Sequence, residues 1–200
     1  LIGALAGDAI TTASNNTAVG FQALTANTTG HSNTAVGKDA LGANTEGFHN
    51  VAIGLTAMDA MTTGDYNTAL GGNALGSDTT GAGSTAIGYA ALTAQNSTTS
   101  ADMYNTAVGR EAGVAVTTGI RNTLVGALAG DALTDADRNS LLGYNALGAD
   151  TLGSRATAMG YGALQTQNFT TATDNYNVGI GYNAGGANTT GTLNTGVGSL

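Results

Sequence analysis

The sequence predicts an all-β chain, a parallel β-solenoid or β-roll of about twelve 17-residue rungs, two of them enlarged to 21. Three observations predict it. A Gly closes each Asn-Thr-Ala-Val-Gly-like block, at Gly3, Gly20, Gly37, Gly54, Gly71, Gly88, Gly109, Gly126, Gly143, Gly160, Gly181 and Gly198. The spacing is 17 except from Gly88 to Gly109 and from Gly160 to Gly181. Ala stands three residues after the Gly in all eleven rungs long enough to show it, from Ala6 to Ala184. Finally, 32 Gly with no Pro, Cys or Trp leaves little bulk for a thick core, and 17 residues with two Gly cannot supply the paired helices of a helical repeat.

With that Gly as position 1, the elements follow in order. Position 4 is the invariant Ala. Thr at position 9 and, in seven of nine uninterrupted rungs, Gly at position 11 spell a Thr-Thr-Gly turn. Position 14 is Asn in nine of eleven rungs. Positions 15 to 17 read as a short strand, and a second strand of small residues is expected beyond the Gly turn. Position 17 is always Ile, Val, Leu or Met, from Ile2 to Val197, which predicts a continuous buried stripe. Position 15, Thr in eight of eleven rungs, shares its parity and is expected to be buried with it.

Stacked at ~4.8 Å, each side chain lies over its counterpart, and the array forms a rod of roughly 55 Å. Asn16, Asn33, Asn50, Asn67, Asn105, Asn122 and Asn139 are then expected to form a structural ladder, pairing side-chain amides along the axis. Residues 1–200 read as a single repeat array, a segment of a longer fibre, with enlarged-rung loops near 93–104 and 165–176. A rung cored by Ala and one aliphatic residue buries little area, so a homo-oligomer is expected, with three chains about a common axis.

Composition narrows the function. A net charge of −8 with only five Lys+Arg argues against nucleic-acid phosphates and anionic membrane surfaces. No apolar run approaches the ~18 residues of a membrane span, so no membrane insertion of this segment is expected. The absence of Cys excludes a disulfide framework and thiolate metal sites. Gly179 to Gly185, GIGYNAG, brushes a dinucleotide fingerprint but is an ordinary rung with no helix to follow. His31 and His49 have no Ser or Asp at triad spacing, and Asp8 and Asp131 are many rungs apart. No catalytic residue, cofactor or metal, and no enzymatic activity, is expected.

Surface chemistry concentrates in two columns. Tyr89, Tyr144, Tyr161 and Tyr182 occupy position 2; Tyr66, Tyr104 and Tyr176 occupy position 13, together with His49, Arg121, Arg138 and Arg155. Such columns serve either as a sticky edge for a cell-surface glycan or protein receptor, or as rings that stack at a corner or cover a seam between chains. In the second case Asp135, Asp137 and Asp150 offset the Arg. The enlarged rungs share Gln-Asn-x-Thr-Thr and Asp-x-Tyr-Asn, so their extra residues form a repeated loop, either a binding loop or a packing bulge.

The NTAVG, NVAIG and STAIG blocks resemble the SVAIG-type repeats in the head of YadA-type trimeric autotransporter adhesins. The longer N-T-A-V-G-x-x-A-L-x-x-x-T-T-G unit is similar to repeats of phage and viral tail fibres. The resemblance implies a homotrimeric shaft of an extracellular or virion fibre, or of a cell-surface appendage, that serves host or surface attachment, and it brings no catalytic or binding residue with it. Two alternatives are a self-stacking extracellular filament and an ice- or surface-binding solenoid that uses its Thr arrays.

Overall fold

The computed structural model describes residues 2–97, 99 and 101–199. The three residues before each position 1 Gly from Gly20 onward form one very short strand, and two rungs add a second of two residues. In chain order these are β1 (Thr17–Val19), β2 (Thr34–Val36), β3 (Val51–Ile53), β4 (Thr68–Leu70), β5 (Thr85–Ile87), β6 (Thr106–Val108), β7 (Thr123–Val125), β8 (Ser140–Leu142), β9 (Gly153–Ser154), β10 (Thr157–Met159), β11 (Thr173–Asp174), β12 (Val178–Ile180) and β13 (Thr195–Val197). Eleven of them form one parallel sheet in the order β1-β2-β3-β4-β5-β6-β7-β8-β10-β12-β13; β9 and β11 form a second, two-stranded sheet. The register places like on like, Thr17 on Thr34, Ala18 on Ala35 and Val19 on Val36. The fold is thus the expected all-β parallel solenoid.

The expected second strand is absent from the ordinary rungs. Beyond the Gly the chain turns with left-handed residues at positions 3 and 5, as in Gln22 (φ 56°) and Leu24 (φ 52°). Backbone groups there still bond from rung to rung, Leu24 N–H to Ala40 O at 3.0 Å and Thr28 N–H to Thr45 O at 3.0 Å. Stacking satisfies these polar groups without a continuous strand.

The larger departure lies in the strands themselves. Position 16 faces inward, so Ala18, Ala35, Ala52, Ala69, Ala86, Ala107 and Ala158 are fully buried. Positions 15 and 17 face outward, leaving Leu70 44% and Leu142 48% exposed. The expected buried stripe at position 17, with Thr buried beside it, is therefore corrected: both rows lie on the outer face of the long sheet. Room decides this, because the coil is narrow and the space inside the strand is taken by position 5, where Leu24, Leu41, Met58, Leu75 and Leu92 are fully buried. Where position 5 is Gly113 or Gly130, position 16 of the same rung becomes Leu124 or Leu141. A Cβ on Gly113 would meet Leu124 Cδ1 at 2.5 Å, so in these two rungs the space inside the strand is filled from position 16 instead of position 5, with Val116 and Leu133 buried beside it at position 8. Each rung's core closes within one chain.

Candidate functional site

Polar columns hold this thin core in register. Asn33 is fully buried; its Oδ1 accepts the Asn50 N–H at 2.9 Å and its Nδ2 donates to Gly47 O at 2.8 Å, both in the next rung. Asn16, Asn50, Asn67, Asn105, Asn122 and Asn139 repeat the bond from Nδ2 to a main-chain carbonyl. The ladder therefore bonds mainly side chain to main chain. Amide-to-amide contacts, such as Asn139 Nδ2 to Asn122 Oδ1 at 3.2 Å, are a minority.

A second buried polar column lies at position 8 and escaped the reading of the sequence. Asp78 Oδ2 accepts from Gln95 Nε2 at 2.5 Å, and its Oδ1 accepts the Gly81 and Ser97 N–H groups at 2.9 and 3.2 Å. Asp150 does the same with Gln167 at 2.6 Å and with the Gly153 and Phe169 N–H groups at 3.0 and 2.9 Å. Each buried carboxylate stands in the rung just before an enlarged one and holds the start of its loop. The signal was present in the sequence as an Asp at the same rung position before each enlargement. Of the 93–104 loop, Thr98 and Ser100 lie outside the described residues. In the 165–176 loop, Thr173–Asp174 adds a strand beside Gly153–Ser154.

The two aromatic columns are both exposed. At position 2, Tyr144, Tyr161 and Tyr182 stack at 5.2 and 5.4 Å between ring centroids, and Tyr89 is 60% exposed with no ring stacked on it among the described residues. At position 13, Tyr66 stacks on His49 at 5.3 Å and meets Phe48 edge-on, while Phe48 stacks on His31 at 5.0 Å. Further along, the Tyr104 hydroxyl donates to Asp102 at 2.8 Å, a bond that raises the phenol above its ordinary pKa. Arg138 pairs with Asp137 at 3.5 Å; Arg155 pairs with Asp174 at 2.8 Å and lies 5.5 Å from the Tyr176 ring centroid. Of the three Asp expected to offset the Arg column, only Asp137 does so. Asp150 is buried on Gln167, and Asp135 accepts from Thr118 Oγ1 at 2.6 Å.

The outer face of the long sheet is the other candidate surface. Its strands present Thr, Ser or Val at position 15 and Val, Ile, Leu or Met at position 17, with no charged residue along eleven strands. Where Ser140 replaces Thr, a shallow hollow of about 220 Å³ opens, lined by Thr123, Val125, Ser140, Leu141, Leu142, Thr157 and Met159. The charges sit elsewhere. Burial, with Glu111 nearby, raises the Asp131 carboxyl above its ordinary value, and burial beside Asp39 does the same for Asp59. A raised carboxyl costs stability when ionised and costs nothing once protonated. Asp131→Asn is therefore expected to raise the thermal midpoint at neutral pH, with the gain fading as pH falls to about 4; melting curves across that range would show it.

Among the described residues no group of three His, Cys, Asp or Glu could hold a metal ion, and no helix is long and apolar enough to cross a membrane. No protein-family model, curated protein or solved structure matches the chain.

Proposed function

We propose that this chain is shaft material of an extracellular or virion attachment fibre, in which three copies dock along the outer faces of their long sheets. The charge-free face carries the reading. In a chain of net charge −8, eleven successive strands carry no ion outward and keep a half-exposed aliphatic row. Solvent gives no reason for such a row, and a partner of the same chemistry does. The strand face is ~50 Å by ~10 Å. The exposed position 2 column, two residues further along, adds Phe21, Leu55 and four Tyr beside two cations, Lys38 and Arg110, and brings the area toward the ~800 Å² per partner of a stable interface. A second copy matches because its rungs repeat at the same spacing. Rung ladders would make the assembly stiff, and it would hold an attachment element away from its particle or cell.

Sedimentation equilibrium tests this directly, with a trimer as the expected species. Replacing outward residues in three separate strands, Leu70→Lys, Val108→Lys and Leu142→Lys, is expected to give folded monomers. A monomeric wild type would overturn the proposal.

One observation favours a second reading: the Thr row of position 15 faces solvent, as an ice- or mineral-binding array requires. Against it, the neighbouring row mixes Val, Leu and Met, whose different reach breaks the flatness a crystal plane needs. Thermal hysteresis measured on the intact rod separates the two, and a strong effect would favour the array.

A further inference from the structure

The Arg column and the two enlarged rungs coincide. Counting along position 13, the order is Tyr104, Arg121, Arg138, Arg155, Tyr176, one residue per rung. Tyr104 ends the first loop and Tyr176 the second. Three cations therefore floor a stretch of four rung steps, ~19 Å long, with an exposed aromatic at each end.

All five residues have left-handed backbones, with φ of 52°, 59°, 57°, 65° and 52°. Such angles cost roughly 1 kcal/mol or more in a residue with a Cβ. At position 5 the burial of Leu offsets that cost; at position 13 the side chains are largely in solvent and recover nothing from the core. Gly occupies this column only at Gly83, where the Tyr104 ring lies against it. Rung-to-rung bonds hold the strained corner, Arg121 N–H to Met103 O at 2.8 Å, Arg138 N–H to Ile120 O at 3.0 Å and Arg155 N–H to Asp137 O at 2.9 Å. The cations are thus fixed at their bases in a straight file. Asp137 and Asp174 orient two of the guanidinium groups, and among the described residues Arg121 makes no ion pair.

The geometry points to a binding surface for a short acidic oligosaccharide, about four rings long, lying along the rod between Tyr104 and Tyr176. Guanidinium forks suit carboxylates and take sugar hydroxyls with their remaining N–H groups. Tyr offers an apolar face for a ring and a polar tip for its hydroxyls. Hydroxyls select the class: every ring between the two Tyr offers several to the guanidinium N–H groups that Asp137 and Asp174 leave free, whereas the side chains of an acidic peptide offer carboxylates alone.

The test is fluorescence anisotropy with a labelled tetramer of galacturonic acid, with oligoglutamate of similar charge and a neutral glucan tetramer as comparisons. The expected result is saturable binding of the uronate that weakens with added salt and exceeds both comparisons. Arg121→Asn with Arg138→Asn is expected to weaken it at least ~10-fold. Asn15 already occupies this column with φ 61°, so the replacement suits the corner, and sedimentation and melting would show the rod intact. No saturable binding, equal binding of oligoglutamate or glucan, or an unchanged variant would each overturn the proposal. Sedimentation of the Arg121→Asn with Arg138→Asn variant separates a lost ligand contact from a lost chain contact, because only the latter changes the oligomer.

Discussion

Gly109→Ala is expected to prevent the chain from folding, whereas Gly72→Ala is expected to change stability by no more than about 0.5 kcal/mol. The two sit in the same array and differ only in what their rung geometry demands. Gly109 has φ 143°, in a region open to Gly alone, and a Cβ there would meet the Gly126 carbonyl carbon and oxygen at 2.5 Å. That carbonyl is backbone of the next rung, so relief requires two rungs to part and their ladder to break. A cost above ~4 kcal/mol is expected, a large share of a domain's total stability. Gly72 has no such φ, and its nearest neighbour would be Tyr89 Cδ2 at 3.7 Å, an ordinary contact. Circular dichroism melts of both variants would decide. Equal tolerance would mean that close approach at position 1 does not set the rung.

Leu124→Ala is expected to cost about 2–5 kcal/mol, and the added change Gly113→Leu is expected to recover at least half of it. Leu124 is fully buried and reaches across the coil to the space over Gly113. Its loss leaves a void between two closed rungs, where neighbours cannot collapse. The rescue restores the arrangement of the other rungs, Leu at position 5 and Ala at position 16. Gly113 already has φ 58°, close to the 52° of Leu24 and 49° of Leu41, so the new Leu meets the same backbone cost that those rungs bear. Urea titration of the single and double variants measures it. A double variant less stable than Leu124→Ala would show that the two positions do not share one space.

Legibility differed from column to column for physical reasons. Asn33 and its counterparts were readable because a buried amide bonding to the rung above must recur wherever that rung does. The Asp78–Gln95 and Asp150–Gln167 pairs were harder to see, since position 8 elsewhere holds Ile, Asn, Met, Val or Leu and only the enlarged rungs need a carboxylate to gather loop N–H groups. The direction of Leu70 and Leu142 was misjudged because larger apolar residues ordinarily face inward.

The amino-acid pattern by itself determined the parallel stacking, the rung length and the register, since a period of 17 with the same residue at each point admits no other pairing of neighbours. Only the tertiary structure decided which side of each three-residue strand is the inside. The reason is volume: in the rungs that begin at Gly20 through Gly160, position 5 or position 16 fills the space inside the strand, joined in three of them by Met61, Val116 or Leu133 at position 8, and the branched residues of positions 15 and 17 must face out.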